Sequence, residues 1–408
     1  MYAKSCRICS HKPLTQILKL GKIPLVNYFP VAKELSIKTK RYPLNFCLCE
    51  HCGLAQLDYV IPPRTLFKTY HYLTSASNSL IDHFHELASE CVRRHFLKWG
   101  DKALDVGAND GTLLFEFQKR GIKTLGVDPS RNAVAVAQKR GIKIIPAFFG
   151  EKTAERIRAR RGTFHVITGN NVFAHVADIK SFLKGVKILL EPNGVFIAEF
   201  AHVLEIIVKN QFDVIYHEHV SYFSLIALMK LFNMFNFEIF DAKKILTQGG
   251  SLRIYVRNKR KGEVSLNLKD LIREEEENHI TEVTTLKRFS EEVHQFREDF
   301  CELIFKIKKK KKKIVGFGAP AKGVTLLSFC GIGASEIDYI VDSTFLKQGR
   351  FFPGIHVPVY AEEKLATDPC DYLILLAWNF QEEILNKIQP LREKGVKVII
   401  PFPKLRVV

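Results

Sequence analysis

The chain has 408 residues, 47% hydrophobic and 25% charged, which excludes a disordered polymer and leaves room for two or three domains. It contains no run of about 18 apolar residues, and Met-Tyr-Ala-Lys-Ser-Cys-Arg at its start is no signal-peptide core, so no membrane partner and a cytoplasmic location are expected. A net charge of +18 admits nucleic acid or an anionic substrate as partners.

Residues 1–65 are rich in Cys and Pro. Cys6-x-x-Cys9 and Cys49-x-x-Cys52 bring four thiolates, the donor set of a closed tetrahedral zinc site that staples a segment too small to fold alone. Cys47 and His11 are spare ligands nearby. Tyr70–Asn78 is dense in hydroxyl and aromatic side chains; it reads equally as a lid or as a surface loop.

Residues 66–262 alternate short apolar strands (103–107, 124–128, 142–146, 164–169, 194–200) with helical stretches (113–120, 131–140, 178–190), the pattern of a parallel α/β sheet. A strand pair, 237–242 and 251–257, follows. Asp105 and Gly107 stand at the turn after the first strand, followed by Asn109, and Asp128 closes the second. Glycine lets backbone approach a ligand, and a strand-end carboxylate suits a ribose diol. Because Gly-x-Asn-x-Gly is not the dinucleotide fingerprint, S-adenosylmethionine fits better than NAD. Past the fourth strand, Asn170 and Asn171 are placed to meet a cofactor and His175 a substrate. Tyr216-His-Glu-His-Val-Ser-Tyr222 then packs five titratable side chains into seven residues. The zinc-protease spacing needs a histidine where Ser221 stands, so general base chemistry is the better reading.

Residues 263–313 read as one charged helix ending in Lys308–Lys313, where cations favour the helix C-terminus. Residues 314–408 repeat the alternating pattern, with strands at 314–318, 337–342, 372–377 and 396–401. Gly316-Phe-Gly-Ala-Pro-Ala-Lys-Gly323 sits at the first strand-to-helix turn, and Lys322, Lys347 and Arg350 make it suited to a pyrophosphate.

These motifs together resemble the S-adenosylmethionine-dependent nucleotide-sugar C-methyltransferases, which act on nucleotide-linked 4-keto-deoxysugars. The likeness covers essentially the whole chain and is carried by 171–175, 211–224, 247–253 and 316–323. It implies a class I methyltransferase Rossmann-like domain, a second Rossmann-like domain at the C-terminus and a small N-terminal zinc-binding domain. It further implies that Cys6, Cys9, Cys49 and Cys52 bind zinc and that His219 is the base, with Tyr216, Glu218, His175 and Tyr70 around the sugar. Tyr222, Gly318, Lys322, Lys347 and Arg350 are expected to bind the rest of a substrate, most simply a dTDP-sugar, in a monomeric enzyme. Ala201, Gln248 and Val324 depart from the residues usual in the family, Pro, His and Asn.

The implied chemistry removes the C3 proton beside the C4 ketone, Glu218 holding the imidazole or contacting the sugar and Tyr216, His175 or Tyr70 donating to the C4 oxygen. Two rivals follow from other features. An NAD-dependent sugar oxidoreductase would use Gly316–Ala321, and a basic nucleic-acid methyltransferase would use the lysines.

Overall fold

The computed structural model describes residues 2–67, 73–260 and 262–408. Strands β1 (Thr15–Pro24), β2 (Arg41–Leu48) and β3 (Ala55–Leu57) form an antiparallel sheet. The middle of the chain supplies β4 (Lys102–Val106), β5 (Lys123–Val127), β6 (Ile144–Ile145), β7 (Phe164–Asn170) and β8 (Leu190–Ala201). The two-residue β9 (Ser221–Tyr222) leaves that region and pairs with β3, becoming the fourth strand of the first sheet.

With β10 (Phe237–Ile245) and β11 (Ser251–Asn258), the second sheet runs in the order β10-β11-β8-β7-β4-β5-β6. Strand β11 is antiparallel to both neighbours, whereas β6, β5, β4, β7 and β8 are parallel. Strand β4 lies between β5 and β7, where the chain order reverses, and a crevice opens beyond the carboxyl ends of strands at such a point.

The third sheet is built from β12 (Ile314–Phe317), β13 (Tyr339–Val341), β14 (Val359–Tyr360), β15 (Tyr372–Leu375), β16 (Lys397–Ile400) and β17 (Arg406–Val407). Its order, β14-β13-β12-β15-β16-β17, puts a second reversal at β12. Ile314 and Val315 are fully buried, as a parallel strand covered on both faces requires.

The expected single helix over 263–313 is two. Leu266–Glu277 ends at Asn278, and Val283–Lys309 begins after a turn containing His279 at φ +50°. The carboxylate of Glu275 takes the backbone N–H groups of Leu225 and Ile226, tying the first helix to the start of Leu225–Asn233. The second helix buries Leu286, Phe289, Val293, Phe296, Phe300, Ile304 and Ile307, a three-and-four spacing that lays one stripe on a core shared by the first and third sheets. The lysine run is not merely solvated. Lys308 meets Asp338 at 3.5 Å and Lys312 meets Asp371 at 2.8 Å, while Lys313 pairs with Asp368.

Candidate active site

Both topological reversals open on one cavity of about 1000 Å³. On the β4 side its wall carries Asp105, Gly107, Asn109, Asp128, Asn170 and Asn171. Gly107 has φ +73°, and a Cβ there would lie 2.9 Å from the Val172 side chain, so only glycine makes this turn without displacement. Asp128 accepts the backbone N–H of Asn109 at 2.8 Å and of Ser130 at 2.7 Å, which fixes its carboxylate at the strand end. Burial pushes Asp105 up to about 7, against a 2.6 Å hydrogen bond from Thr168 Oγ1. Both amide atoms of Asn170 are buried without a partner among the described residues, an arrangement that calls for a polar ligand. A strand-end carboxylate, a glycine cradle and an orphaned amide fit a nucleoside-bearing cofactor.

Across the cavity stand Tyr216, His219 and His175. His219 Nδ1 lies 2.9 Å from the Val214 carbonyl, which can only accept, so Nδ1 carries the proton and Nε2 the lone pair. The Tyr216 hydroxyl, at 2.8 Å, donates to Nε2. Burial holds His219 well below the ordinary imidazole range, helped by His175, whose ring centre is 5.0 Å away. His175 stacks on Phe67 and is itself pushed down to about 4 by burial.

Gly318, Lys322 and Lys347 form the third wall. Gly318 has φ +83°, with no room for a Cβ beside Ala377. Lys322 is buried, lies 4.5 Å over the Trp378 ring and is lowered to about 8 by desolvation, which Asp213 opposes. Lys347 donates to the Ala319 carbonyl at 3.0 Å and sits 3.4 Å from Asp342.

Three expected site residues point elsewhere. Glu218 does not orient the imidazole, a task done by the Val214 carbonyl; its Oε1 accepts from Asn27 Nδ2 at 2.7 Å, and it is Asn27 that lines the cavity. Tyr222 is packed edge-on against Phe46 because it belongs to β9, so its ring lies in the core between sheets. Arg350 donates to the Phe29 carbonyl at 3.2 Å, tethering the N-terminal segment. Tyr70 lies outside the described residues. His217 donates to the Pro43 carbonyl at 3.1 Å and is a structural neighbour.

Two wall residues escaped the sequence reading. Asn27 sits in an irregular stretch with no motif to flag it. Asp342 could have been found, because it follows β13 as Asp128 follows β5. It accepts Ala319 N–H at 2.6 Å and Thr344 N–H at 2.7 Å, repeating the Asp128 pattern atom for atom. The Tyr70–Asn78 question is answered in part: Thr74 N–H and Ser75 N–H donate to Asn109 and Asp110, and Thr74 lines the cavity.

The metal cluster is separate. Cys6, Cys9, Cys49 and Cys52 place their sulfurs within 4.8 Å of one another, with Cys6–Cys52 at 3.4 Å and Cys9–Cys49 at 3.5 Å. Tetrahedral zinc with bonds of about 2.3 Å separates its sulfurs by about 3.8 Å, so the donors fit. Cys47 and His11 stand outside this set.

Comparison with known proteins bears on each region. Family models match at residues 6–67 (zinc binding domain), 75–242 (methyltransferase domain) and 246–403 (C-methyltransferase C-terminal domain). The chain is 35% identical over 404 residues to C-methyltransferase NovU of Streptomyces niveus, covering 99% of this chain and 96% of that protein. A ubiquinone biosynthesis O-methyltransferase of Rhodopseudomonas palustris is 31% identical over 99 residues, covering 24% of this chain and 39% of that one. Among solved structures, magnesium protoporphyrin IX methyltransferase from Synechocystis with bound SAH matches at 16% identity and TM-score 0.34, covering 43% of this chain and 82% of that one.

Proposed function

The chain belongs to the C-methyltransferase family of NovU, and on that premise we propose that it methylates the carbon, C3, beside the ketone of a nucleotide-linked 4-keto-6-deoxysugar, most simply a dTDP-sugar. The observation that carries this reading is His219: a neutral imidazole with its Nε2 lone pair on the wall of a cavity that two nucleoside-type crevices share. S-adenosylmethionine, which Asp128, Asn170 and the Gly107 turn would hold, supplies an electrophilic methyl group for the enolate carbon.

His219 takes the C3 proton on Nε2, and the electron pair of the C–H bond becomes the enolate. Burial disfavours imidazolium alone, but imidazolium and enolate arise together, so the site gains an ion pair rather than a lone charge. Tyr216 caps Nε2 until substrate displaces it, and its hydroxyl is then available to the ketone oxygen. Lys322, Lys347 and Asp342 line the side that would receive the nucleotide diphosphate. The four-cysteine cluster holds zinc as a staple and takes no part in the chemistry.

The test is mass spectrometry of a panel of nucleotide 4-keto-deoxysugars incubated with the protein and S-adenosylmethionine. A methyl group gained on a sugar carbon is expected. Methyl gain on oxygen or nitrogen alone, or NAD-dependent oxidation of the same sugars, would overturn the reading.

A further inference from the structure

We propose that the C-terminal region sets the aim of the base, with Trp378 and Thr325 as positioning residues for His219. This rests on the function proposed above. It concerns the short turn Phe212–Val214, whose Val214 lines the cavity, and the residue after it.

The imidazole is oriented by one backbone carbonyl, that of Val214. Peptide planarity ties that carbonyl to the Ile215 N–H, which donates to the Phe212 carbonyl at 2.9 Å, so its direction follows the turn formed by residues 212–215. Each neighbour of Val214 is held from the C-terminal region. Before it, the buried Asp213 carboxylate accepts from Trp378 Nε1 at 2.7 Å. After it, the Ile215 carbonyl accepts from Thr325 Oγ1 at 3.3 Å. One residue earlier, Phe212 is wedged among Phe296, Phe329 and Phe402, with ring centres 5.4, 5.2 and 5.5 Å away. Residues 212, 213 and 215 are thus pinned from one side, and Val214 is left to present its oxygen to His219.

Neither Trp378 nor Thr325 is on the cavity wall; Ala377, Asn379 and Phe380 are, on either side of the tryptophan. The two residues therefore act on the base through Asp213 and Ile215, not on the substrate. Among the described residues the groups that face His219 itself are Tyr216, Tyr222, His175 and Lys322. Trp378 also lies under Lys322, whose Nζ is 4.5 Å from its ring, so the Thr325 pair is the cleaner probe of the base alone.

The experiment uses the full chain with Thr325→Val, Thr325→Ser and Trp378→Phe. The first is nearly isosteric and removes the hydroxyl, the second keeps it, and the third removes the indole N–H. Three quantities are read for each: kcat and KM for methylation, the rate at which dTDP-4-keto-6-deoxyglucose takes deuterium from D2O beside its ketone in the presence of S-adenosylhomocysteine, and the Kd for S-adenosylhomocysteine. Thr325→Val and Trp378→Phe should lower kcat and deuterium uptake together by roughly 10- to 100-fold. KM and Kd should stay at wild-type values, and Thr325→Ser should restore the rate. Wild-type uptake in both Thr325→Val and Trp378→Phe, or a loss confined to KM, would overturn the inference. If Trp378→Phe fails to fold, the Thr325 pair alone decides. If the wild-type protein shows neither uptake nor methylation with any 4-keto-sugar, the proposed function falls and this inference falls with it.

Discussion

His219 is buried beside a second imidazole and within range of Lys322, and all three circumstances favour its neutral form. A general base must be unprotonated to act, so in the role proposed for it the lowered affinity of His219 for a proton would keep it ready where an ordinary imidazole begins to fail. The kcat profile should therefore stay level as pH falls through 6.5, the ordinary imidazole value, and decline only further into acid. A decline centred near 6.5 would mean that the titrating base is an exposed imidazole elsewhere. Replacing His219 by Asn should leave folding and S-adenosylmethionine binding intact and cost roughly 10²- to 10⁴-fold in turnover, followed by mass spectrometry and ligand titration. The residue types at this site were legible in the sequence, but the bond that aims the ring was not. Val214 contributes a backbone carbonyl, and a carbonyl has no letter of its own.

At the scale of elements, the turn after β4 is the most exacting feature. Gly107→Ala would force a side chain into φ +73° and against Val172, a strain of about 1–3 kcal/mol. Lower denaturant stability and weaker S-adenosylmethionine binding are expected together, measured by urea unfolding and calorimetry. Binding lost with stability unchanged would place the effect in the cofactor pocket alone. Strands β4, β5, β7, β8, β10 and β11 were readable because each is an apolar run bounded by polar or glycine residues, and so was Asp128 as the acid after β5. The two-residue β9, β14 and β17 were not, since strands that short exist only through their partners. The break at Asn278 was hidden as well, since no glycine or proline marks the turn before Val283.

For the whole molecule, three regions converge on one loop. Arg7 donates to the Val220 carbonyl at 2.9 Å, Asn27 to Glu218 and His217 to the Pro43 carbonyl, so the zinc segment grips the stretch that bears His219. Chelation, or Cys49→Ser, should therefore lower turnover as well as the melting temperature. Bound metal is measured by elemental analysis, and full activity in metal-free protein would sink the structural role. Acid stability follows from the buried groups. His175, His217 and His219 are held below their ordinary value, so the unfolded chain binds up to three more protons and stability falls as pH drops below 6.5. Asp105 and Asp213, raised to about 7 and about 6, and Asp128, also raised by burial, act in the opposite sense because the folded chain takes their protons first. Glu90, Glu199 and Glu205, held below the usual carboxylate range, join the histidines in favouring the unfolded chain at lower pH, so urea melts at several pH values should show stability falling on the acid side of 6.5.

The pairing of β9 with β3 also dictates an order of events during synthesis. Residues 1–57 can gather their metal as soon as they emerge, yet the sheet they begin stays one strand short until Tyr222 has left the ribosome. By then β4 to β8 are already outside, so the last strand arrives attached to a nearly complete neighbour. Recombination that cuts this gene between the first and second regions would separate β3 from its partner, and a graft of residues 1–67 onto another protein would carry an open edge with it.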